Sequence, residues 1–189
     1  SIGLKSIGDY AFFGSSVTSV VIPSEVTFIG VSAFNFCPSL TSLKVDERNP
    51  VFDSRNDCNA IIRTDDDLLV YGCRTTVIPQ SVRSIDDYAF CGCEGLGQMI
   101  LPANVERVGE GAFYECSGLT SVVLSSGMQH VSSLTCSECH DLVTVTIPQS
   151  MKSIGDGAFS NCHGLTSIKV QEGNKRYDSR DNCNAIIET

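Results

Sequence analysis

Ten cysteines and three histidines in 189 residues are the side chains best equipped for chemistry. Cys136-Ser-Glu-Cys139-His140 has the spacing of a c-type haem attachment motif. His140 and His163 each follow a cysteine and stand 23 residues apart, so two Cys-His pairs could share a zinc ion. Asp53-Ser-Arg-Asn-Asp57 and Asp178-Ser-Arg-Asp181 have the turn composition of a calcium loop, without the regular acidic spacing or distal Glu of an EF-hand. No nucleophile elbow, phosphate-cradling glycine loop or spaced Ser-His-Asp set is present, so the chain does not read as an enzyme.

What must position these groups is a repeat. The pairs Ala11-Phe12, Ala33-Phe34, Ala89-Phe90, Ala112-Phe113 and Ala158-Phe159 occupy one slot, with Thr135-Cys136 in a divergent copy. From Phe90 onward the step is a strict 23 residues. Within one copy, Val105, Val108, Phe113, Cys116 and Leu119 lead to Val122 and Leu124, where the spacing changes to alternation. That predicts one short strand near the end of each coil, closed by Ile22-Pro23, Ile78-Pro79, Leu101-Pro102 and Ile147-Pro148. Gly30, Gly109 and Gly155 mark a second bend, where glycine supplies either positive φ or lack of bulk; Asp86 replaces it once.

One coil cannot bury its apolar face alone, and stacking turns each inward slot into a column. Cys37, Cys93, Cys116, Cys139 and Cys162 form one such column, three residues after the Phe slot. Buried free thiols suit it better than ladder disulfides, and the cysteine count leaves the redox compartment open. The same logic dissolves the haem motif, since Cys136 and Cys139 are a Phe slot and a Cys slot. It also sets inward cysteines against outward histidines, which disfavours zinc. Asx turns account for the aspartate loops, so no metal or cofactor is expected.

The repeats span about 1–22, 23–45, 79–101, 102–124, 125–147 and 148–170. NPVFDSRNDCNAIIRT at 49–64 returns as NKRYDSRDNCNAIIET at 174–189. The first copy continues through residue 78 as a β-hairpin insert over 46–78, turning at Asp65-Asp66 and placing Cys58 opposite Cys73, bridged or as thiols. The second insert, 171–189, stops before a return strand, which leaves Ala185-Ile186-Ile187 without a partner. This reads as a longer parent protein, or else as a frayed or dimer-paired end. The chain opens in a degenerate coil, so its start reads the same way.

The pattern Val-x-x-Ile-Gly-x-x-Ala-Phe-x-x-Cys-x-x-Leu-Thr-Ser-Val-x-Ile-Pro, nearly whole from Met151 to Val170, resembles the BspA-type (Treponema pallidum-type) leucine-rich repeats. The resemblance covers essentially the whole chain. It implies a mainly β, curved, right-handed leucine-rich-repeat solenoid with irregular or short helical turns, about six coils and a hairpin insertion, forming a single domain over 1–189. It further implies a surface-exposed or secreted protein of a host-associated bacterium, several such relatives being implicated in adhesion to host proteins.

The net charge of −9 argues against nucleic acid and anionic membranes as partners, and no apolar run is long enough to span a bilayer. With 42% apolar and 19% charged residues the chain is a folded one. The surface left to act is the solvent-facing row of the strand ladder: Val21, Lys44, Val77, Ile100, Val123, Thr146 and Lys169. Several are apolar, which points either to strand propensity alone or to a stripe for a protein partner. The expected role is non-enzymatic binding by a monomer at the cell surface or outside the cell. An inert structural spacer and a metal- or carbohydrate-binding module are the alternatives.

Overall fold

The structure is a computed structural model and describes residues 3–179 and 186–188. Parallel strands form near the end of each regular coil: Ser19–Ile22 pairs with Ser42–Val45, and Gly97–Ile100, Leu119–Val123, Thr144–Ile147 and Ser167–Val170 pair in succession. Their register repeats the coil length, with Val122 beside Val145 and Val145 beside Ile168. The result is a β-solenoid of about seven turns. Its helical content among the described residues is one 3-10 turn, Arg55–Asp57.

Each coil also has a second strand that the apolar spacing did not announce. Ser6–Ile7, Phe28–Ile29, Ser84–Ile85, Arg107–Val108, His130–Val131 and Ser153–Ile154 are two residues long, too short for alternation to register. They precede the second bend, where the Gly choice is now explained. A Cβ on Gly30 would lie 2.4 Å from the Asp9 backbone nitrogen, and one on Gly109 2.5 Å from that of Asp87. Neither has positive φ, so what the site requires is lack of bulk.

Positive φ occurs around the Phe slot instead. Two left-handed residues four apart flank it in every regular coil, for example Tyr88 and Gly92, Gly111 and Glu115, Leu134 and Glu138. This turns alternate N–H groups toward the next coil. Phe90, Phe113 and Cys136 donate to the carbonyls of Ala112, Thr135 and Ala158 at 2.8 Å, and the flanking residues add similar bonds. A left-handed non-glycine costs about 1–2 kcal/mol, which these intercoil bonds offset.

The hairpin is the largest departure from a plain stack. Ala60–Arg63 pairs antiparallel with both Phe52–Asp53 and Leu68–Gly72, and Leu68–Gly72 pairs parallel with Ser84–Ile85. It is therefore a layer of the solenoid, buried on both faces. Ile61, Tyr71, Cys73 and Phe52 pack with the preceding coils, while Cys58, Ala60, Ile62 and Leu69 pack with the following ones. The expected Cys58–Cys73 opposition is thus corrected: Ala60 faces Gly72, a bulge intervenes at Ile61/Ile62, and the two thiols belong to opposite faces. Both are free, and Cys73 Sγ donates to Asn59 O at 3.4 Å.

The hairpin also continues the aromatic column. Phe12 stacks on Phe34, Phe34 meets Tyr71 edge-on, and Phe90 stacks on Phe113. Gly72 admits the Phe90 ring, whose Cε1 would lie 2.0 Å from any added Cβ. In the second insert, Tyr177–Asp178 pairs antiparallel with Ile187–Glu188, so Ile187 has the partner that the sequence reading denied it; Ala185 lies outside the described residues. Tyr177 and Ile186 pack on the preceding coils as Phe52 and Ile61 do.

Candidate protein-binding face

The solvent-facing row forms in two runs. Val21 pairs with Lys44, and Ile100, Val123, Thr146 and Lys169 stand in sequence on the four-stranded sheet. Val77 lies between the runs in position but is not in a strand, contrary to expectation. The cause is Thr76, a hydroxyl in a column otherwise filled by Val20, Leu43, Met99 and Val122. Its Oγ1 donates to Asn59 O at 2.6 Å and accepts from Cys73 N at 2.8 Å, tying this segment to the hairpin instead of to a ladder. The Thr75 hydroxyl holds the preceding coil through Thr41 O at 2.6 Å.

Exposure along the row is uneven. Val21 is 61%, Val77 73% and Ile100 61% exposed, whereas Val123 and Thr146 are half-buried. Lys44 and Lys169 are exposed, and Lys44 pairs with Asp57 at 3.6 Å across solvent, a contact of little energetic weight. The apolar character therefore concentrates at Val77 and Ile100. Beside them opens a recess of about 470 Å³ lined by Gln80, Gln98, Leu101 and Pro102 along with those two residues. The recess was missed in the sequence, although Thr76 in an apolar column was a legible signal for it.

The chemical lookalikes resolve as packing. Cys136 and Cys139 are fully buried, and Cys139 Sγ donates to Phe113 O at 2.9 Å. His140 and His163 stack outside with ring centroids 5.3 Å apart, and His140 Nδ1 meets Asn161 O at 2.9 Å. Among the described residues no group of three or more His, Cys, Asp or Glu could hold a metal. In the first aspartate loop Arg55 occupies the Asp53 carboxylate at 2.7 Å and reaches Asp67 at 2.5 Å, and these bonds hold its guanidinium firmly charged. Asp181 and Cys183 lie outside the described residues.

The thiol column has its own geometry. Cys37, Cys116, Cys139 and Cys162 each donate to the Phe-slot carbonyl of the preceding coil, Phe12, Phe90, Phe113 and Cys136, at 2.9–3.1 Å. Burial pushes the Cys93 thiol up to about 12 and Cys162 to about 11. A raised pKa makes Cys93 and Cys162 structural thiols and not nucleophiles, whereas the neighbouring Cys116 and Cys136 thiols draw Cys139 below its ordinary value.

Comparison with solved structures finds the same fold. A leucine-rich cell surface protein from Faecalibacterium prausnitzii is 25% identical, with a TM-score of 0.68 over 97% of this chain and 54% of its own. A leucine-rich repeat protein from Bacteroides ovatus is 28% identical, with a TM-score of 0.62 over 90% of this chain and 42% of its own. The pneumococcal vaccine antigen PcpA, 21% identical, has a TM-score of 0.75 over 90% of this chain and 43% of its own, a likeness of fold. The chain thus spans about half the length of these structures. Comparison with curated proteins gives no match. Six copies of the BspA type leucine-rich repeat match residues 1–56 and 71–185, and the chain belongs to that family.

Proposed function

We propose that this chain is a non-enzymatic binding module exposed at a bacterial surface or outside the cell, and that it adheres as a monomer to a host or neighbouring-cell protein. Leucine-rich repeats of this kind generally serve as protein-interaction modules, and the Faecalibacterium structure is described as a cell surface protein. No helix among the described residues is long and apolar enough to cross a membrane. The observation that carries the reading is the pair Val77 and Ile100, two exposed β-branched side chains beside a recess on the strand face. An exposed apolar patch rimmed by polar residues is the kind of surface that a protein partner covers. Val21 and Val123 extend the stripe, and Lys44, Thr146 and Lys169 give its polar border.

The test is adhesion of the purified chain to immobilised host extracellular proteins and to epithelial cells. Val77→Glu with Ile100→Glu is expected to lower binding by about tenfold or more, with an unchanged thermal melt. Binding that survives both substitutions removes this face from the function.

A further inference from the structure

The two inserts are copies of one element, and four of their differences fall in one place. Asp46, Arg48, Pro50 and Val51 of the first correspond to Gln171, Gly173, Lys175 and Arg176 of the second. In the first copy the Asp46 carboxylate grips the Arg48 guanidinium through two bonds of 2.9–3.0 Å, so the cation at this corner is already paired. Gln171 and Gly173 cannot make that pair. All four second-copy residues instead line a solvent-open cavity of about 670 Å³.

Its lining has one chemical character. Lys152, Lys175 and Arg176 supply cations, Gln129, Gln149 and Gln171 supply carboxamides, and among the described residues no lining one is a carboxylate, in a chain of net charge −9. The groups are positioned from beneath. Lys152 Nζ donates to Gln129 Oε1 at 2.7 Å, and the Gln149 N–H donates to Gln171 Oε1 at 3.2 Å. Asn174 fixes the turn that presents Lys175 and Arg176: its Nδ2 donates to Pro148 O and Met151 O, and its Oδ1 accepts from the N–H groups of Arg176 and Tyr177. Gly173, at φ +84°, packs against Gln149, whose Nε2 would stand 2.6 Å from any Cβ. Arg176 is steadied by an ion pair with Glu188, where the first copy has Val51 and Arg63.

We propose that this cavity binds an acidic oligosaccharide. Lys152, Lys175 and Arg176 receive its carboxylate or sulfate groups, by the charge-assisted bonds such anions favour. The three carboxamides, each donor and acceptor at once, meet its hydroxyls along successive coils. None of the described lining residues belongs to a strand, so these walls offer no ladder edge for an acidic peptide to extend. The site lies on turns and is separate from the Val77–Ile100 face.

Calorimetric titration of the 189-residue protein compares a heparin-derived sulfated hexasaccharide, an oligogalacturonate, a neutral oligosaccharide of equal length and a poly-glutamate peptide. An acidic sugar is expected to bind with an affinity that falls with added salt, and the preferred arm identifies the anion. Lys152→Gln and Arg176→Val should each weaken it by about tenfold. Gln171→Asp, which puts a carboxylate among the three cations, should weaken it at least as much, and a thermal melt checks that each variant is folded. Absence of binding by both acidic sugars, equal binding of the neutral one, tighter binding of poly-glutamate, or indifference of folded variants to these changes overturns the proposal.

Discussion

A phenol and a column of thiols show how single side chains close gaps in the intercoil bonding. Where the hairpin separates the second coil from the next one, Tyr71 Oη donates to Gly30 O at 2.7 Å and accepts from Ala33 N at 3.0 Å. Burial raises its pKa to about 12. Tyr71→Phe leaves both buried backbone groups without that partner and is expected to cost about 1–3 kcal/mol in urea melts. The thiols give a pH signature. Folded Cys93 and Cys162 keep their protons to about 12 and 11, against an ordinary value of 9.0. The folded state therefore binds more protons than the unfolded chain above pH 9, and this part of its stability is whole below that pH and lost as pH rises toward 11–12. Urea midpoints under reducing conditions should fall steadily between pH 8.5 and pH 11, while Ellman's reagent at pH 8 should titrate the buried thiols only after unfolding.

At the scale of elements, the hairpin explains both what the sequence disclosed and what it withheld. The 23-residue step, the strands before Pro23, Pro102 and Pro148 and the hairpin turn were legible, because column packing forces one residue type into one slot; the strand expected before Pro79 does not form. The faces of the hairpin were not, since Ala60-Ile61-Ile62 is an unbroken apolar run, and an element buried on both sides has no alternation to read. The proposed binding face was legible as a row, and its recess was marked only by Thr76, a hydroxyl in an otherwise apolar column. Two substitutions test the hairpin as an internal layer. Gly72→Ala would drive a methyl into the Phe90 ring and should cost about 1–3 kcal/mol. Asn49 joins the insert to the coil beneath, donating to Pro23 O and Val26 O and accepting from Val51 N and Phe52 N at 2.8–2.9 Å. Asn49→Ala should cost about 1–3 kcal/mol, and since both changes lie away from Val77 and Ile100, neither should alter binding while the protein stays folded.

For the molecule as a whole, stability should depend on position along the stack, because each layer contacts only its neighbours. Phe113 is fully buried between Phe90 and Cys136, whereas Phe12, in the first coil of the same column, is 37% exposed and stacks on Phe34. Phe113→Ala should therefore cost about 3–5 kcal/mol, and Phe12→Ala clearly less. Hydrogen exchange adds a spatial prediction, since the hairpin divides the core into two clusters. Phe113→Ala should speed exchange most at the amides of Phe90, Gly92 and Glu115, whose acceptors lie in the coils it touches, and least at Phe12 and Gly14 beyond the hairpin. Equal acceleration on both sides would mean that the hairpin transmits cooperativity fully and that the two clusters unfold as one. A graded response would mark it as the boundary between two folding units, the following coils being able to loosen while the first two remain closed.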